Sequence, residues 1–240
     1  MVKSTIMIQA RTGSQRFPRK VLAEIENKPL LWHVLNRVKR VKDTDQIILI
    51  TTRKKEDEIL LDIAKNSNIH SFAGDELDVL NRHYQCALRY EADPIIRITA
   101  DCPLIDPSVV DKIFEIYLEG NYDFVSNCIP PTFPDGLDTE IFSFDALKKM
   151  VHISKLKSER EHVTTYIRNH RNEFRIYNYS IEDDFSKFRW TVDTEEDLEV
   201  VRKIYSIMKP KTIFSYKEIL NKISNDPRLD QKDFGLKVSK

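Results

Sequence analysis

Residues 9–20 read Gln9-Ala10-Arg11-Thr12-Gly13-Ser14-Gln15-Arg16-Phe17-Pro18-Arg19-Lys20. Three guanidiniums and one ammonium share this segment with a glycine and two small hydroxyl residues. Such a stretch suits a polyphosphate, because Arg offers planar, bidentate donors and Lys a compact point charge. A solvated basic surface loop has the same composition, so the segment needs further groups beside it before it implies chemistry.

Two aspartates supply them. Asp101 lies in Arg97-Ile98-Thr99-Ala100-Asp101-Cys102-Pro103-Leu104-Ile105-Asp106, just beyond an apolar run. Asp193 lies in Phe188-Arg189-Trp190-Thr191-Val192-Asp193-Thr194-Glu195-Glu196-Asp197-Leu198, between an alternating run and a helical one. Magnesium is held by one or two carboxylates together with substrate phosphates. Two strand-end aspartates and a basic loop are the inventory of phosphoryl-type transfer. Helix capping competes for the same residues: Asp106 precedes Pro107, and Asp193-Thr194 precede Glu195. For Asp106 the capping reading is preferred.

Other chemistries are set aside by what is scarce. Glycine occurs only at 13, 74, 120, 136 and 235. Neither G-x-G-x-x-G nor the phosphate loop G-x-x-x-x-G-K-[ST] can be built from those positions. Cys86, Cys102 and Cys128 form no C-x-x-C pair, so no structural zinc site is expected, and their odd, scattered placement fits a reducing compartment. Lys plus Arg equals Asp plus Glu at 38 each, which leaves no basic excess for general nucleic-acid binding. The N-terminal apolar run ends at Gln9, too short for a signal segment or a membrane span. The expectation is a cytoplasmic protein with no nucleic-acid partner and no membrane span.

The elements that must position these groups alternate. Strand patterns cover 5–10, 46–52, 69–73 and 94–100, and helical spacing covers 30–41, 55–65, 79–90 and 108–118. Alternation of this kind implies parallel βαβ units and a layered α/β fold. Ligands in such folds sit beyond the carboxyl ends of the strands. The second half is less regular. It reads as strands at 122–127, 139–143, 174–179 and 188–192, and helices at 158–170, 195–208 and 215–223, with Thr194 and Asp197 as a helix start. The domain is expected over 1–225, followed by a polar, frayed tail over 226–240.

The three clusters together carry a resemblance. Q-A-R-x-G-S-x-R-x-P-x-K at 9–20, T-A-D-C-P-L-I-D at 99–106 and T-V-D-T-E-E-D-L at 191–198 resemble, in the same order, the cytidylyltransferases that make CMP-activated sugars. These include the 3-deoxy-manno-octulosonate and N-acylneuraminate cytidylyltransferases, and the spore coat polysaccharide (SpsF-like) branch is the most similar. The resemblance spans residues 4–200. It implies a three-layer α/β/α nucleotide-diphospho-sugar transferase fold with a mostly parallel mixed sheet. It also implies transfer of CMP from CTP to a sugar or ulosonic-acid-type acceptor with release of pyrophosphate, and Mg²⁺ as cofactor.

Carried over residue by residue, Arg11 and Lys20 meet the CTP phosphates, with Gly13, Ser14 and Arg16 in support and the backbone of Gln9 and Ala10 facing the nucleotide. Asp101 and Asp193 bind the metal. Arg82, in the segment 73–82, falls where the family contacts the nucleotide, although a surface helix would carry such a residue too. The acceptor pockets of the sialic-acid and octulosonate branches are not recognisable. Asp138, Glu140, Arg160, Glu161 and His162 stand in their place as acceptor candidates, or else as a surface hairpin and a charged helix face. The segment 127–173 is expected to serve the acceptor and dimerisation, and the resemblance implies a homodimer. His162 and Asp138 are both open as general base. Transfer from another nucleotide such as GTP, a glycosyltransferase, and a non-catalytic sugar-nucleotide-binding protein remain the alternative readings.

Overall fold

The structure is a computed structural model and describes residues 3–237. Strand β1 (Lys3–Gln9) is buried on both faces. It pairs in parallel with β2 (Gln46–Thr52) on one side and with β4 (Ala92–Thr99) on the other, and β3 (His70–Gly74) continues the sheet beyond β2. The period of two sorts the side chains cleanly. Ile6, Ile8 and Leu49 enter one core layer, and Met7, Ile48 and Ile50 enter the other. Each fully buried aliphatic side chain of this kind stabilises by about 1.5–3 kcal/mol. The register of β1 is therefore firmly held, and so is the point where its chain leaves the sheet.

Helices α1 (Leu30–Val38), α2 (Glu58–Asn66), α3 (Val79–Tyr90) and α4 (Pro107–Glu119) make the crossovers. Asp106 caps α4 by accepting from Ser108 N at 3.0 Å, as preferred from the sequence, and its other oxygen accepts from Tyr216 N at 2.8 Å. Strands β5 (Phe124–Ser126), β6 (Glu140–Phe142) and β7 (Ile176–Asn178) complete a seven-stranded sheet of order β3-β2-β1-β4-β6-β5-β7. β6 runs antiparallel to both β4 and β5, so the sheet is mixed and mostly parallel. The strand order reverses at β1, which opens a crevice beyond the ends of β1 and β4.

The second half departs from its pattern in four places. Helix α5 (Phe144–Ile153), capped by Ser143, occupies a stretch to which the sequence reading assigns no element. The expected helix over 158–170 is broken into α6 (Lys157–Glu161) and α7 (Thr165–Asn169). The break lets Val163 enter the core while Thr164 donates to Glu140 at 2.7 Å. Residues 188–192 form isolated bridges to Asp135 and Leu236 rather than a strand of the sheet. After α8 (Glu195–Ile207) and α9 (Tyr216–Asn225), the expected frayed tail is instead docked through residue 237. Phe234 is buried there, and its carbonyl accepts from the Trp190 indole at 2.9 Å. A polar segment holding one large apolar residue looks solvated in sequence, but that residue pins it.

Candidate active site

The loop leaving β1 is fastened from beneath. The Thr12 amide and hydroxyl both donate to Asp57 Oδ1 at 2.7 Å, and Asp57 also accepts from the Thr52 hydroxyl. Thr12 O accepts from the amides of Ser14 and Arg19, each at 2.9 Å, which folds the loop back on itself. Arg19 takes a left-handed conformation with φ 59°, after which a short turn over Lys20–Leu22 buries Val21. Arg16 and Arg19 are exposed and Arg11 is half-buried, whereas Lys20 is buried.

The Lys20 ammonium reaches Asp101 Oδ2 at 3.0 Å, Asp193 Oδ1 at 2.8 Å and the Val192 carbonyl at 2.8 Å. Three residues distant in sequence thus meet at one point. The backbone brings the two aspartates together, because Val192 N donates to Asp101 O at 2.9 Å. Burial alone would lower the Lys20 pKa, but the carboxylates of Asp101 and Asp193 outweigh it and raise the pKa above the usual lysine value. Burial likewise opposes ionisation of Asp193, and the bond and charge of Lys20 reverse that effect and lower its pKa.

Asp193 has further support. Arg189 donates to its Oδ2 at 2.7 Å and to Asp197 Oδ1 at 3.0 Å, and Arg16 lies 2.9 Å from the same Oδ2. Asp197 also closes the capping box of α8, accepting from Thr194 N while its own amide donates to Thr194 Oγ1. A single helix start therefore fixes Asp197, Asp197 fixes Arg189, and Arg189 orients Asp193.

These groups line a cavity of about 490 Å³ beyond the ends of β1 and β4. Gln9, Ala10, Arg11, Ser14, Arg16, Lys20, Asp101 and Asp193 contribute to its wall, and so do Glu161 and His162 at the break between α6 and α7. The structure thus joins the expected nucleotide loop, both aspartates and two of the five acceptor candidates. A more open cleft of about 810 Å³ lies between the end of α8 and α9. Lys211–Glu218 and Arg228–Asp226 are ion pairs on its wall, and its lining residues do not gather a comparable set of reactive groups.

The remaining candidates lie off the cavity wall. Gly13 is exposed on the loop, with ordinary space for a methyl group. Arg82 is no surface residue: it is 1% exposed, packed against Gly74, where a Cβ would lie 2.7 Å from its Cγ. Desolvation, then Arg11, lowers its pKa to about 10. Its Nε and Nη2 have no partner among the described residues, so a cationic group with spare donors underlies the loop. Glu140 is an ion-pair hub, bound to Arg97 and to Arg168, the latter at 2.6 Å. Burial opposes its ionisation, yet the two guanidiniums hold its pKa below the usual carboxylate value. Arg160 pairs with Asp78 and donates to Val151 O at 2.8 Å, which ties α6 to the start of α3.

Asp138 sits in a turn that packs tightly against 189–193. Gly136 has φ 115°, and a Cβ there would lie 2.8 Å from Thr191 N, so the close approach requires glycine. Asp138 itself is exposed to solvent. Desolvation first, then Asp135 and Glu140, push its pKa up to about 6.

Sequence reasoning missed Asp57 and the role of Arg189. Arg189 stood inside a recognised cluster, but nothing local marked it as the residue that orients Asp193. Asp57 shows only an acidic residue near a helix start, a common and weak signal.

Two carboxylates and a carbonyl already surround one cation, the Lys20 ammonium, at 2.8–3.0 Å. All three donors are oxygens, the ligand type of a hard divalent ion. Among the described residues no group of three or more His, Cys, Asp or Glu side chains is arranged for a metal. A divalent ion here would complete its shell with substrate oxygens or water, as magnesium usually does.

The cytidylyltransferase family model matches residues 5–234 of the chain. An uncharacterized protein of Methanocaldococcus jannaschii is 39% identical over 197 residues, which is 81% of this chain and 79% of that protein. Spore coat polysaccharide biosynthesis protein SpsF of Bacillus subtilis is 30% identical over 230 residues, 92% of this chain and 94% of that protein. Among solved structures, a cytidylyltransferase from Leptospira borgpetersenii superposes with a TM-score of 0.93 at 32% identity, and the match covers the whole of both chains.

Proposed function

The chain belongs to the cytidylyltransferase family, and from that premise we propose that it transfers CMP from CTP to a sugar or ulosonic-acid-type acceptor in the synthesis of a surface polysaccharide or glycan. The observation that carries this reading is the meeting of Lys20, Asp101 and Asp193 at the mouth of β1 and β4, inside the same cavity as Arg11, Arg16, Glu161 and His162.

An acceptor oxygen attacks the α-phosphorus of CTP, the bond from that phosphorus to the bridging oxygen breaks, and pyrophosphate leaves. Catalysis is positioning and charge neutralisation. Arg11, Arg16 and Lys20 neutralise the triphosphate, Ser14 adds a hydroxyl donor, and Gln9 and Ala10 face the nucleotide. Arg82 adds positive potential from beneath the loop. Asp101 and Asp193 are the residues to hold Mg²⁺, which supplies charge neutralisation at the α-phosphate when bound. Glu161 and His162 meet the acceptor, and His162 takes its proton. Glu140 and Arg160 hold the two short helices on either side of this break, through Thr164 and Arg168 in the first case and Asp78 in the second.

The direct test is pyrophosphate release by the purified protein with Mg²⁺, each of the four NTPs in turn, and a panel of sugars and ulosonic acids. Release with CTP and one acceptor class supports the reading. Release with GTP alone would replace the base, and no release with any pair would sink the enzymatic assignment for these acceptors. We further propose a homodimer assembled through the 127–173 segment. Sedimentation showing a species of about monomer mass at every concentration would end that proposal.

A further inference from the structure

The Lys20 ammonium has three N–H groups and three oxygen acceptors within 3.0 Å: Asp101 Oδ2, Asp193 Oδ1 and the Val192 carbonyl. In this arrangement no N–H remains for a phosphate. Contact with a triphosphate and contact with the aspartates are therefore two positions of one side chain. Val21 anchors the turn in the core, and the largely buried Lys20 side chain borders the cavity, so a turn about its four-carbon stem would carry the ammonium from one position to the other with the backbone in place.

The two aspartates are not left alike when Lys20 departs. Asp193 keeps Arg189 at 2.7 Å and Arg16 at 2.9 Å. Among the described residues, Lys20 is the one cation paired with Asp101. Withdrawal of the ammonium thus leaves a carboxylate that needs another positive charge, beside a second carboxylate and a carbonyl already pointing at the same place. A divalent ion placed there while the ammonium remained would lie within a few ångströms of a like charge in a partly desolvated site, where that repulsion is weakly screened.

We propose that the Lys20 ammonium is a resident counter-cation that bars a divalent metal from the Asp101–Asp193 pair until the phosphates of a nucleotide draw it away. Metal and nucleotide then enter together, and the empty enzyme discriminates against free metal. The idea rests on the reading of the cavity as a nucleotide site. It makes Lys20 a timing device as well as a phosphate ligand.

The experiment is a Mn²⁺ titration without nucleotide, with free Mn²⁺ followed by electron paramagnetic resonance. Wild type is compared with the neutral variants Lys20→Met and Lys20→Gln and with the charge-preserving Lys20→Arg. The expected result is binding at least tenfold tighter in both neutral variants than in wild type, wild-type-like weak binding in Lys20→Arg, and loss of the gain when Asp101→Asn is added to Lys20→Met. Equal or weaker Mn²⁺ binding in the neutral variants overturns the proposal. Should both neutral variants fail to fold, a wild-type crystal soaked in Mn²⁺ decides by its anomalous signal. Manganese between the carboxylates with Lys20 Nζ still within about 3.2 Å of both overturns it. No manganese there, or manganese with Nζ swung away, supports it. No nucleotide is present in either measurement, so a negative pyrophosphate assay and a negative metal titration are separate failures.

Discussion

The amide and the hydroxyl of Thr12 both donate to a single oxygen of Asp57, each at 2.7 Å. Forty-five residues separate the two, so this clamp ties the phosphate-type loop after β1 to the turn after β2. Burial would raise the Asp57 pKa, but the bonds from Thr52 and then Thr12 lower it, and the carboxylate stays ionised. Asp57→Ala strands buried donors, at a cost of about 2–3 kcal/mol. It should also raise the KM for CTP, because the loop loses its fixed shape. Asp57→Asn should do less on both counts, since the amide oxygen still accepts. Denaturant melts and steady-state kinetics read the two effects. Wild-type stability and KM in Asp57→Ala would show that the clamp has no such role.

Lys20 and Arg11 are distinguished from ordinary surface charges by magnitude. Truncating one partner of a charge-assisted hydrogen bond costs about 2–5 kcal/mol, and removing a surface charge about 0.5 kcal/mol or less. At about 1.4 kcal/mol per decade, Lys20→Ala and Arg11→Ala should each lower kcat/KM for CTP at least tenfold. Lys20→Arg should be impaired as well, because a forked guanidinium does not replace a compact ammonium. Lys3→Ala, at the exposed start of β1, is the control. If Lys20→Ala and Lys3→Ala behave alike, the loop is not a triphosphate cradle.

Asp101→Asn and Asp193→Asn should each reduce turnover by about a hundredfold or more, since metal charge stabilisation is worth several kcal/mol. Their stabilities should differ. Asp193 bonds Lys20 and Arg189 and pairs with Arg16, whereas Asp101 pairs with Lys20 alone among the described residues. Asp193→Asn should therefore lose about 1–2 kcal/mol, or about 2–8 °C in Tm for a chain of this size. Asp101→Asn should melt nearer to wild type. Calorimetry and kinetics on the same preparations check both, and a reversed order of stability would contradict this network.

Asp138 gives a pH signature. Its folded pKa of about 6 lies above the usual value for an unfolded aspartate, about 3.9. Such a raised carboxyl contributes stability at pH below the unfolded value, and that contribution is lost as pH rises through the folded one. Asp138→Asn removes the titration. The variant should gain on wild type as pH rises from about 4 to about 6 and keep that gain at higher pH. Parallel pH profiles for the two proteins would remove the raised pKa from the account.

Much of the α/β frame was legible in the sequence. β2 and α3 coincide with their expected bounds, and α4 and α8 begin at the expected caps. These are long periodic segments whose local preferences agree with their burial. The break at 162–164 was not legible, because 158–170 reads locally as continuous helix. The bend comes from Val163 entering the core and Thr164 bonding Glu140, a partner 24 residues away. The docked tail was hidden in the same way, behind the single anchor Phe234.

The sequence by itself determined the chemical inventory: the basic loop, the two aspartates, the strand ends that carry them, and the family to which that order of motifs belongs. Tertiary structure decided how the inventory is arranged. It turned Lys20 inward between Asp101 and Asp193, buried Arg82, made Glu140 a hub, and set Glu161 and His162 on the wall of the cavity. Residue types and local periodicity are written along the chain, whereas an ion pair such as Lys20–Asp193 joins residues 173 positions apart. Only the pairing of strands and the packing of helices against both faces of the sheet bring such partners within 3 Å.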